Sequence, residues 1–268
     1  MVSNNSHYWV GKNERSEKAA EHVKNMDQLY KESIERSVQN TKVYDSFTLD
    51  GTGRNHIPKS IHIEPTDSVS AILKYANGTY GRVAVLNFAS FHNPGGKFLE
   101  GSKAQEECLC HESTLYNVLN QHRGFYETNG KHKNRNLYSN RALYSPEITF
   151  LRNSQICSCD VITCASPNRS AAERIGVTEA ENSNALRSRI QFVMNIAEDN
   201  QVDTLILGAY GCGVFGQDPK EVASIFKEEL MNPENHYGFT NVIFAIIPGL
   251  YGNMAQNLIA FTETFKRV

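Results

Sequence analysis

Four short runs, residues 83–89 (VAVLNFA), 160–165, 204–209 (TLILGA) and 242–247, are apolar almost throughout. A strand with one wet face alternates apolar and polar residues, whereas a near-continuous apolar run is the mark of a strand covered on both faces. Helix-like segments follow these runs, at 102–120, 180–200, 219 to about 231 and 253–266. The alternation predicts a layered α/β domain whose central sheet has parallel members. Upstream, residues 14–40 and 66–75 read as helix, with short strands expected at 47–49 and 60–64. Residues 123–141 are polar, carry Gly124 and Gly130, and read as an exposed loop.

At 268 residues, one large domain is the expectation. The net charge of −2 argues against general affinity for a nucleic-acid backbone. No apolar run approaches the ~20 residues of a membrane span. The first 22 residues lack a basic-then-apolar signal pattern, so a soluble, intracellular, cytoplasmic protein is expected, with no membrane partner. Six cysteines in a chain this long do not make a disulfide framework. Zinc is conceivable at Cys108, Cys110 and His111, or at Cys157, Cys159 and Cys164. Neither group has the CxxC pairs of a structural site, so reduced, mostly buried thiols and no metal are expected.

Two glycine-rich stretches each leave a predicted strand and enter a predicted helix. The first, NPGGKFLEGSKAQEE, runs from Asn93 to Glu107, with Ser102 and Gln105 spaced as a capping box. The second, GAYGCGVFGQDP, runs from Gly208 to Pro219. It ends in Asp218 as N-cap, Pro219 at the first helical position and Glu221 placed to close a box. Glycine lets backbone amides approach a ligand closely, and the second stretch has the makings of a phosphate or diphosphate cradle. Gly211, Gly213 and Gly216 also spell G-x-G-x-x-G, but no carboxylate ends the next strand to hold a ribose, which demotes a dinucleotide fingerprint. Loops at the carboxyl ends of parallel strands converge on one crevice, so the two stretches are expected to face one ligand.

Together, NPGG, QEE and GAYGCGVFGQDP resemble the macrodomain-type poly(ADP-ribose) glycohydrolases, and most closely their compact microbial branch. The resemblance covers most of the chain. It implies a macrodomain-like three-layer α/β/α fold with a mixed central sheet over 66–268, and an N-terminal helical or irregular extension over 1–65. It implies ADP-ribose or poly(ADP-ribose), free or attached to protein, as ligand, and no cofactor. Carried across, Glu107 falls at the catalytic acid, and Glu106 beside it is the second catalytic residue, expected to hydrogen-bond ribose hydroxyls and fix the pose. Gly95, Gly96 and Gln105 match the rest of the signature, while Asn87 and Asn93 fall near the distal ribose. Gly211, Cys212, Gly213, Val214 and Phe215 fall in the diphosphate loop. Lys97 stands where the family has its third glycine, and a left-handed backbone there would strain a lysine.

The implied chemistry is hydrolysis of the ribose–ribose O-glycosidic bond. A proton goes to the leaving oxygen and an oxocarbenium-like transition state is relieved by water, with Glu107 as general acid and then base. Alternatives are a non-catalytic ADP-ribose-binding module, and a hydrolase of other ADP-ribosyl adducts or metabolites. Plainer readings stand beside several residues. Adjacent glutamates in a first helical turn are usually solvated. Phe215 is equally a core residue, Asn168 a turn residue, and Tyr251 a packed tyrosine rather than an adenine platform. The KHK around His132 reads as a solvated loop, with guidance of a polyanion as the lesser alternative.

Overall fold

The computed structural model describes residues 11–49, 58–235, 237–249 and 253–266. Tyr251 lies outside them. In chain order the elements are α1 (Lys12–Leu29), α2 (Lys31–Asn40), β1 (Lys42–Asp45), β2 (Ser60–Glu64), α3 (Ser68–Tyr75) and β3 (Val83–Phe88). Then come α4 (Gln105–His111), α5 (Leu115–Leu119), α6 (Arg123–Asn129), β4 (Arg141–Arg152), β5 (Gln155–Cys164) and α7 (Arg169–Glu173). The chain finishes with α8 (Glu179–Asp199), β6 (Thr204–Leu207), α9 (Pro219–Met231), β7 (Asn241–Ala245) and α10 (Asn253–Phe265). The strands form one seven-stranded sheet in the order β1-β4-β5-β3-β6-β7-β2. From β5 to β2 neighbours are parallel, while β4 runs antiparallel to both β5 and β1.

The apolar runs are continuous because successive side chains enter two different cores. On β3, Ala84 and Leu86 join a cluster with Ile190, Val193 and Phe226 of α8 and α9, and with Phe261 of α10. Val83 and Val85 point the other way, into a cluster with Ala19, Ile72, Leu109 and Leu115 of α1, α3, α4 and α5. The same division separates Leu205 and Leu207 from Ile206 on β6, and Val242 and Phe244 from Ile243 on β7. A strand of period two can be apolar throughout only when both faces are covered. The result is a helix–sheet–helix sandwich of the macrodomain type, with a mixed sheet.

Several expectations are corrected. The first helix is two, because Tyr30 leaves helical geometry at φ −127°, ψ 25°. The strand expected at 47–49 lies instead at β1, paired antiparallel with β4. Both edge strands, β1 and β2, come from residues before 65, so a division at that point does not separate an extension from the sheet.

The helix expected over 102–120 breaks at Glu112, where β4 competes for the chain. Arg152 donates from Nε to both Glu112 oxygens at 2.9 and 3.0 Å, and the Leu151 amide takes the Glu112 carbonyl at 2.8 Å. Arg152 also reaches Asp67, the N-cap of α3, at 2.8 Å. No capping box forms at Ser102, since Ala104 is the N-cap of α4 and Gln105 turns to β3. Residues 123–141 are not an exposed loop. They form α6 and then bury Leu137 and Tyr138, whose carbonyls accept from the buried Arg189 guanidinium. Asp218 does cap α9, accepting from the Lys220 and Glu221 amides at 2.8 and 3.0 Å.

Candidate active site

β5, β3 and β6 lie side by side and parallel, so the chain leaves all three at one end of the sheet. Residues 89–104 follow β3, 165–168 follow β5 and 208–218 follow β6. Contacts tie these loops together. Phe88 meets Tyr210 with ring centroids 5.5 Å apart. Phe91 stacks on Tyr138 at 4.2 Å, and Tyr138 in turn lies 6.2 Å from Phe215. Gln217 donates to the Pro167 carbonyl at 2.8 Å. The sequence-predicted loops therefore share one rim.

Gln105, Glu106 and Glu107 open α4, and Glu106 and Glu107 are buried there. Glu106 is held from three directions. The Ser90 amide donates to it at 2.7 Å, Asn87 Nδ2 at 3.2 Å, and the Gly95 amide also contributes. Burial pushes its carboxyl up to about 8, against the pull of those donors and with help from the Glu107 charge. Glu107 is held by one oxygen only. The Lys97 amide donates to Oε1 at 2.9 Å, while Oε2 is buried and has no hydrogen-bond partner among the described residues. A buried carboxylate oxygen without a partner is costly and calls for a reason. Asn87 Oδ1, equally buried, is likewise without one.

The glycine bend is what lets the carboxylates come this close to the chain. Gly95 and Gly96 take φ +66° and +59°, and a Cβ on Gly96 would lie 2.6 Å from Glu107 Oε1 and 2.9 Å from Glu106 Oε2. Lys97 has φ −108°, so the backbone asks for no glycine at that position. Its contact with Glu107 is made by the main chain, and its side chain is 65% exposed.

The second loop presents main-chain donors. The amides of Gly211, Gly213, Val214 and Phe215 make no hydrogen bond among the described residues. Free N–H groups on a loop that opens a helix have the chemistry to receive an anion. Val214 is 86% exposed, whereas Phe215 is half-buried against Phe91, Tyr138 and Ala165.

Two of the expected ligand residues are engaged within the protein. The Cys212 amide is taken by the Ala209 carbonyl at 3.1 Å and its thiol is buried in the core. The Gln105 amide is turned to β3, accepting from the Phe88 N–H at 2.8 Å and donating to the Leu86 carbonyl at 2.9 Å. Gln105 thereby locks α4 to the strand. Asn93 is exposed, and its carbonyl closes the glycine bend by accepting from the Gly96 amide at 3.1 Å. Asn168 caps α7 through the Ala171 amide. Ser90, which sequence reasoning missed, joins the two halves of the site: its amide holds Glu106, and its Oγ accepts from the His92 and Asn93 amides. No motif marks a serine in that role. Among the described residues no three His, Cys, Asp or Glu side chains cluster as a metal set would.

The chain matches the family model of the microbial-type PARG catalytic domain over residues 14–153, a little over half of its length. It belongs to that family. Solved microbial PARG structures carry the likeness over most of the chain. The poly(ADP-ribose) glycohydrolase of Thermomonospora curvata is 29% identical with a TM-score of 0.84, over 94% of this chain and all of that one. The same enzyme bound to the inhibitor ADP-HPD gives 29% and 0.83, with the same coverage. The Deinococcus radiodurans poly(ADP-ribose) glycohydrolase in complex with ADP-ribose is 27% identical with a TM-score of 0.76, over 87% of this chain and 97% of that one. No curated protein matches the chain. This microbial-type PARG carries the paired glutamates Glu106 and Glu107 behind the Gly95–Gly96 bend, with Lys97 directly after the two glycines.

Proposed function

We propose that this protein hydrolyses ribose–ribose O-glycosidic bonds in poly(ADP-ribose) and releases ADP-ribose, with Glu107 as the general acid and base. Membership of a glycohydrolase family supports the reaction class, and relatives solved with ADP-ribose and ADP-HPD support the ligand. The observation that carries the residue assignment is the buried, unpartnered Oε2 of Glu107 beside an anchored Oε1. One oxygen is fixed by the chain, and the other is free for a substrate proton.

In the first half of the reaction Glu107 Oε2 carries a proton to the leaving ribose oxygen as the C–O bond breaks and positive charge develops on the anomeric carbon. In the second half the carboxylate takes a proton from water as the water oxygen bonds to that carbon, which restores the acid. Glu106 is a positioning residue. It ties β3, Ser90 and Gly95 to the start of α4, so that the glycine bend and Glu107 move as one body. The free amides of Gly211, Gly213, Val214 and Phe215 receive the diphosphate, with Asn87 Oδ1 left to accept from a ribose hydroxyl.

Glu107→Gln keeps the side chain's shape and the Lys97 contact but removes the proton. It is expected to lower kcat on poly(ADP-ribose) by about 10²–10⁴-fold with ADP-ribose binding retained. Turnover within a few-fold of wild type would remove Glu107 from the acid role.

A further inference from the structure

Beside the candidate active site stands a basic loop that the reaction does not use. Lys131, His132, Lys133 and Arg135 follow α6 and are all exposed. The loop is fixed in place. The Lys131 and His132 amides bond the Thr128 and Asn129 carbonyls at 2.9 Å, the Tyr138 amide bonds the Lys133 carbonyl at 3.0 Å, and the Asn168 amide bonds the Asn136 carbonyl at 2.9 Å. Asn134, Arg135, Asn136 and Tyr138 all sit at left-handed φ, from 41° to 67°. Such backbone costs a non-glycine residue about 1–2 kcal/mol each, so the shape is imposed by its surroundings. Arg135 is ion-paired with Glu181 and serves as an anchor. Lys131 and Lys133 make no ion pair among the described residues.

The loop borders the active-site rim. Tyr138, which ends it, stacks on Phe91 and approaches Phe215, so one aromatic row joins it to both ligand loops. His92 packs edge-on to Tyr138 at 5.7 Å, one residue before the NPGG bend. Burial, and then the Lys133 ammonium, hold His92 below its ordinary value. On a chain whose net charge is −2, the two lysines put positive charge on a fixed loop beside the active-site rim.

We propose that Lys131 and Lys133 bind the diphosphate of a neighbouring unit of the polymer, outside the ADP-ribose unit held at the cleavage site. The proposal rests on the glycohydrolase reading above. The lysines contribute to capture of a chain and not to the chemistry. A polyanion bound partly by phosphate contacts releases counterions, and its affinity falls with salt by about 0.7 log units per log unit for each contact on a flexible strand.

The test compares wild type with the double substitution Lys131→Ser and Lys133→Ser, and with the charge reversal Lys133→Glu. Cleavage of long poly(ADP-ribose) is measured from low to moderate salt, with calorimetric binding of free ADP-ribose alongside. The double variant is expected to raise KM on long polymer by about three- to tenfold at low salt. It should flatten the salt slope by about 1.4 while leaving kcat, ADP-ribose affinity and thermal stability unchanged. The reversal should raise KM further. Unchanged KM and slope in both variants would overturn the proposal, as would an equal loss on free ADP-ribose, which would put the lysines in the monomer site. A wild-type protein that leaves polymer uncut removes the reading beneath the proposal, a result separate from an active enzyme indifferent to the substitutions.

Discussion

Replacing Gly96 by alanine adds one methyl group at the point where the chain crosses the two carboxylates. The added Cβ would lie 2.6 Å from Glu107 Oε1 and 2.9 Å from Glu106 Oε2, against an ordinary contact that begins at 3.4 Å. The Glu107 oxygen must therefore retreat by roughly 0.8 Å, or the bend must open. At φ +59° alanine also carries the left-handed penalty of about 1–2 kcal/mol. With the steric displacement, the total loss of stability is about 2–4 kcal/mol, or about 5–10 °C in Tm for a chain of this size. Displacing a reacting group by about 1 Å costs roughly 10²-fold, so kcat on poly(ADP-ribose) should fall by about that factor even in the fraction that stays folded. The assay pairs polymer turnover below the melting temperature with thermal unfolding by circular dichroism. Gly124→Ala on α6, where a Cβ meets nothing within 4 Å, serves as a control expected to be neutral or slightly stabilising. A Gly96→Ala enzyme with kcat within threefold of wild type and an unchanged Tm would refute the reasoning, because neither the backbone nor the contact would then constrain Glu107.

Two further outcomes follow from the same residues. Glu106 has its carboxyl raised to about 8, above the ordinary 4.5, so between those values the folded chain holds a proton that the unfolded chain has lost. Its stabilisation is complete below pH 4.5 and is lost as pH rises through about 8. Urea midpoints at pH 5, 7 and 9 should therefore fall with pH in wild type and flatten in Glu106→Gln; equal slopes would contradict the assignment. Lys97→Gly preserves the main-chain bond to Glu107 and removes an exposed side chain. It should leave kcat within about twofold and lower stability by about 0.5–1 kcal/mol, and a tenfold change in kcat would bring the lysine side chain into the reaction.

The parallel strands were legible because burial on both faces writes itself into the chain as unbroken apolar runs, as in 83–89 and 204–209. Asp218 and Pro219 were legible because an N-cap is a local device. β4 was not. Its ladder shifts register between Ser145 and Ile148, where Pro146 and the left-handed Glu147 sit, and that irregularity interrupts the pattern by which a strand shows itself in sequence. Residues 123–141 read as solvated because their short helix and two glycines carry little periodicity. Leu137 and Tyr138 are buried by carbonyl bonds to Arg189, some 50 positions away.

The sequence by itself determined which residue types stand at the site: two adjacent glutamates behind a glycine bend, and a second glycine-rich stretch opening a helix. Local patterns suffice for that, since bends, caps and buried strands depend on near neighbours. Only the tertiary structure decided what each atom does. Glu106 is tied to Ser90 and Asn87 while Glu107 keeps one oxygen free, Gln105 faces the strand, and the Cys212 amide is closed off among open ones. Hydrogen bonds between β3, its loop and α4 make that division, and they form only when distant segments of the chain meet.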